Sequence, residues 1–119
     1  MRIIAITLTA LVAALHVGFL ILEMFYWTEP FGLKTFNQTL DVAKQSAVLA
    51  ANQGLYNGFL AAGIAYALVT GKADVRYLFL IFVMIAGVYG AATAKPSILF
   101  VQALPAFLAA LATWRANSA

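Results

Sequence analysis

The sequence predicts an all-α protein, a single integral membrane bundle of four transmembrane helices spanning residues 1–119. Three observations carry this reading. Of the 119 residues, 65% are hydrophobic and only 9% charged, whereas a soluble domain carries about 25% charged residues. Apolar runs recur at roughly the 20-residue length that a helix needs to cross the hydrocarbon core. Gly, Pro and charged residues punctuate the chain between those runs.

The first span is expected over residues 3–27 and ends at Thr28-Glu29-Pro30. Arg2 followed by an apolar stretch imitates a signal peptide, but a cleaved segment stops after about 7–15 apolar residues. This run continues to Trp27, so a retained span is expected. The second span is placed at 46–70, closed by Gly71-Lys72, with Thr39 or Asp41 able to cap an earlier start. Between these spans, Glu29-Pro30-Phe31-Gly32-Leu33 has the character of a turn at the interface. Asn37-Gln38-Thr39 matches a glycosylation sequon, for which chance suffices. The third span is placed at 75–94, before Lys95-Pro96, and the fourth at 97–114. Pro105 in the fourth span frees the carbonyl near Val101 and is expected to bend the helix.

Four crossings put both termini on one side. That side holds Arg2, Lys72, Arg76 and Arg115, and the other holds Lys34, Lys44 and Lys95. The excess favours cytoplasmic termini in a bacterial inner (cell) membrane. The net charge of +3 comes from scattered residues, so nothing supports nucleic-acid binding. There is no cysteine, which removes disulfides, thiolate metal sites and cysteine nucleophiles. One His and one intramembrane carboxylate do not make a metal shell, and no cofactor motif is present.

Ionisable residues inside a span are costly and tend to face the bundle interior. Here they are His16 and Glu23, seven residues apart on one face of the first helix, in a stripe with Thr9, Leu20 and Trp27. The second span carries Asn52, Gln53, Tyr56 and Asn57 over an arc of roughly 140°. For antiparallel neighbours, depth places Glu23 beside Asn52 or Gln53, and His16 beside Tyr56 or Asn57. Gln102 in the fourth span and Tyr89 and Thr93 in the third fall toward the same membrane half, the outer one by the charge rule. These residues suggest a polar pocket lined by Glu23, Trp27, Asn52, Gln53, Tyr56, Asn57 and Gln102. It would hold a small amphipathic or lipid-like molecule, with the bilayer as the protein's surroundings. An alternative is an enzyme acting on a lipophilic substrate, with Glu23 or His16 as acid or base. A structural or accessory subunit, whose amides only link helices, is the third reading. Ala86, Gly87, Gly90 and Ala91 form small-x-x-x-small pairs that suit packing within the bundle or a homo-oligomer.

The stretches Leu22-Glu23-Met24-Phe25 with Trp27, and Ala50 through Ala61 with Asn52-Gln53-Gly54-Leu55-Tyr56-Asn57 at its heart, carry a resemblance. They are similar to a family of small bacterial and fungal membrane proteins, the domain-of-unknown-function family numbered 1304. The resemblance extends over nearly the whole chain. It implies four spans and no assigned activity or catalytic residue. A looser similarity to the four-span eicosanoid and glutathione enzymes of membranes fails at the basic residues: none lies between Lys44 and Lys72.

Overall fold

The computed structural model describes residues 1–118, with the Ser118 side chain set aside. The described chain is all helix and turn. Its elements are α1 (Arg2–Phe25), α2 (Pro30–Thr35), α3 (Leu40–Thr70), α4 (Ala73–Thr93), a π-helical turn (Leu99–Ala103) and α5 (Leu104–Ser118). They divide into two compact units. One comprises Met1–Ala14 with Ala62–Ala119, and the other Leu15–Ala61.

The packing is inverted relative to a water-soluble protein. The buried apolar residues are dominated by alanines, among them Ala43, Ala67, Ala106 and Ala109. Large aliphatic side chains point outward: Val69 is 87% exposed, Ile3 79% and Val48 78%. Water would penalise such a surface, and a hydrocarbon solvent would not. Among the described residues, three segments are long and apolar enough to cross a membrane: Arg2–Phe25, Ala73–Thr93 and Leu99–Asn117. At 31 residues α3 is longer than any of them. Asn52, Gln53, Tyr56 and Asn57 dilute its hydropathy, so it is not among those three.

The Leu15–Ala61 unit is a helical hairpin with a short helix at its bend. Leu20 lies over Gly58, and the Leu20 carbonyl, Glu23 Cβ and Met24 side chain lie against Gly54, so α1 and α3 run antiparallel. A Cβ at either glycine would enter these contacts. The connection expected as a turn contains α2, with Pro30 in its first turn, where a missing N–H costs nothing. Gly32 is required there, because a Cβ would overlap the Tyr26 carbonyl. Asn37, at φ 50°, ends α2. Its N–H donates to Lys34 O and that of Gln38 to Leu33 O, the paired closure of a Schellman motif. The Thr39 hydroxyl then accepts the Val42 N–H, so α3 starts at Leu40 and not at 46.

In the other unit, Ala5, Thr9 and Val12 form a buried stripe on α1, with the Thr9 hydroxyl donating to Ala5 O at 2.7 Å. Gly71, at φ 70°, turns the chain from α3 to α4, and Lys72 N–H closes on Ala67 O. The Phe79 ring lies on Gly63. Leu80, Val83 and Gly87 make the buried face of α4. Gly87 meets the Ala103 backbone and Gly90 meets Ile98. Near the other end of α4, Arg76 Nη1 donates to Thr113 Oγ1 at 3.4 Å. These contacts make α4 and α5 antiparallel. Pro105 has no N–H to give, and one turn earlier the helix widens, with Leu104 N–H reaching Leu99 O five residues back. The expected disturbance at Pro105 is thus a local π turn.

Candidate functional site

The polar residues singled out on α1 and α3 are best described within the Leu15–Ala61 unit. The seam between these helices is set by Gly54 and Gly58, which let the α1 backbone come close. At this seam the Asn57 amide Nδ2 donates to Glu23 Oε1 at 2.5 Å. Glu23 therefore meets Asn57, one turn beyond the Asn52 or Gln53 expected from depth alone. The depth estimate centres both helices on one plane, whereas Leu20 seated over Gly58 fixes the true register. Asn57 is buried, and Glu23 is partly buried.

The arc on α3 runs outward from that seam. Asn52, Gln53 and Tyr56 are exposed, Tyr56 at 59%. Asn52 turns its amide back to Val48 O at 3.0 Å on its own helix. The Gln53 side chain makes no hydrogen bond among the described residues. The Tyr56 ring stands edge-on to Phe59 at 5.9 Å. Of the four polar residues only Asn57 is packed inside, and the other three form a polar face flanked by exposed Val48, Leu49 and Phe59.

Trp27 closes the end of this face. Its indole Nε1 donates to Ser46 Oγ at 3.1 Å, and Ser46 in turn donates to Val42 O at 2.8 Å. The Phe36 ring lies against the Trp27 ring at 4.8 Å between centroids. The indole is thereby fixed at the bend of the hairpin. His16 is buried, with the Phe19 ring edge-on at 5.1 Å. Gln102 sits in the π turn and belongs to the other unit.

Two features escaped sequence reasoning. The Gly54-x-x-x-Gly58 spacing is the sequence signal for the α1–α3 seam. A cleft of about 530 Å³ beside α2, lined by Pro30, Leu33, Lys34, Asn37, Gln38 and Thr39, has no sequence signature. Among the described residues, no group of three or more His, Cys, Asp or Glu is placed to hold a metal ion.

Residues 10–114 match a family described as "Protein of unknown function (DUF1304)". The chain is 30% identical over 118 residues to the uncharacterized protein YpaA of Lactococcus lactis subsp. lactis (strain IL1403). That match covers 96% of this chain and 99% of the relative. No solved structure matches the chain. With the family matched over most of its length and a relative matched end to end, the chain belongs to the DUF1304 family.

Proposed function

We propose that the protein crosses the bacterial cell (inner) membrane four times, with cytoplasmic termini. In this reading it holds the polar end of a small amphipathic or lipid-like molecule on the α3 face beside the Glu23–Asn57 pair. The fourth crossing is α3 itself. Its 31 residues reach about 46 Å at 1.5 Å per residue, ample for a core of about 30 Å. Its exposed Val48, Leu49 and Val69 suit lipid.

The observation that carries the ligand reading is the polarity of this face. Within the Leu15–Ala61 unit, Asn57 is engaged by Glu23, but Gln53 has no partner and Asn52 uses only its own helix backbone. Amides at membrane depth need hydrogen-bond partners, because hydrocarbon supplies none. A ligand with a hydroxyl, amide or carbonyl head and an apolar tail would satisfy Gln53, Asn52 and Tyr56, with its tail along Val48, Leu49 and Phe59. Trp27, held by Ser46, would border the head.

Native mass spectrometry of the full chain released from mild detergent tests this. A bound small molecule is expected, lost in Gln53→Leu combined with Tyr56→Phe, whose fold should survive because both side chains are exposed. A wild-type chain that emerges bare after gentle extraction removes the ligand reading.

A further inference from the structure

We propose that Arg76, with Lys72, forms a site for the phosphate of an anionic phospholipid at the end of the α4–α5 pair. The site lies in the unit made of Met1–Ala14 and Ala62–Ala119, so it stands independently of the polar face on α3.

The Arg76 guanidinium is partly buried and under-satisfied. Nη1 donates to Thr113 Oγ1 at 3.4 Å, a long bond to a neutral hydroxyl that is itself spent on Ala109 O at 2.8 Å. Nε is buried with no acceptor. Nη2 has no partner among the described residues, and neither it nor Nε is paired with a carboxylate. A guanidinium is always charged and demands acceptors, and a phosphate offers several in one group.

Its neighbours add charge of the same sign. Lys72 lies one turn earlier, with the Arg76 N–H closing on Lys72 O. The Lys72 ammonium is steadied by the Tyr66 hydroxyl at 3.2 Å and lies 5.5 Å from the ring centroid. The one acid in this turn, Asp74, caps locally, its carboxylate accepting Val75 N–H at 2.9 Å. Two cations therefore lie beside one acid, and neither is ion-paired among the described residues.

Depth names the anion. Tyr66, Tyr77 and Trp114 flank the same turn, and Tyr and Trp gather at the level of the headgroups. Both flanking helices, Ala73–Thr93 and Leu99–Asn117, are apolar enough to cross a bilayer. The anion found at that level in quantity is lipid phosphate. Basic residues between helix ends recognise it.

The test is native mass spectrometry of the full chain in detergent with phosphatidylglycerol or phosphatidylcholine of matched acyl chains, and separately with inorganic phosphate. Phosphatidylglycerol adducts should exceed phosphatidylcholine adducts by about fivefold or more and fall by at least that factor in Arg76→Gln. Arg76→Lys should recover part of the loss. Should Arg76→Gln not fold, Lys72→Gln keeps the Arg76–Thr113 bond and should still lose severalfold. Equal retention of the two lipids by the wild type, or unchanged retention in both the glutamine variants, overturns the proposal. Retention of inorganic phosphate with displacement of phosphatidylglycerol overturns the lipid as occupant.

Discussion

At the scale of single residues, small groups in confined places carry more weight than the large ones. Gly32 faces the Tyr26 carbonyl so closely that Gly32→Ala must move the start of α2. It should cost about 1–3 kcal/mol and lower the melting temperature in detergent. Asn37 occupies the left-handed region at φ 50°. Asn37→Ala should cost about 1 kcal/mol while Asn37→Gly is tolerated, a contrast that the same melting assay reads. Asn57→Leu removes the donor to Glu23 Oε1 and leaves a carboxyl at the seam without it. A loss of about 1–3 kcal/mol is expected, visible as an earlier midpoint on titration with a denaturing detergent. His16 and Glu23 were conspicuous in the sequence because ionisable groups inside an apolar run are rare. Which amide Glu23 takes was not legible, because that depends on where two glycines let the helices slide.

At the scale of helices, spacing decides contact. Gly54 and Gly58 seat α1, while Gly87 and Gly90 seat the chain around the π turn. The first pair lies four residues apart and the second three, each on one face of one helix. Gly87→Leu would place a side chain in the Ala103 backbone and should part α4 from α5. Loss of protease resistance at the Lys95-Pro96 connection would report that. The all-helical class, with apolar helices long enough to cross a membrane, followed from length and hydropathy. The early start of α3 was foreshadowed by Thr39 as a cap. The helix α2 was not foreseen: Pro30 and Gly32 read equally as turn formers, and six residues are too few for a periodic pattern to show. The outward aim of Asn52, Gln53 and Tyr56 was hidden too. An arc of roughly 140° reveals that polar residues share a side, yet the buried edge of that side is fixed by the partner helix.

At the scale of the molecule, buried alanine and glycine and exposed large aliphatics suit helices long and apolar enough to cross a membrane. The chain's lack of cysteine offers a clean route to its topology, since single cysteines can be introduced without background. Lys34→Cys in α2 should react with a membrane-impermeant maleimide from outside intact cells. Asp74→Cys, at the start of α4, should react only after permeabilisation. The reverse pattern would invert the proposed orientation, and labelling of both sites from outside would remove the α3 crossing.

The amides that make α3 useful also bear on how the chain is made. In the four-crossing reading, α3 is the segment that a translocon would partition least readily into lipid. Synthesis delivers α1 first, with its Glu23 already in place when Asn57 emerges from the ribosome. In that reading the earlier helix would act as an intramolecular chaperone for the later one. Moving α1 to the end of the coding order, by circular permutation, should leave α3 stranded on the aqueous side.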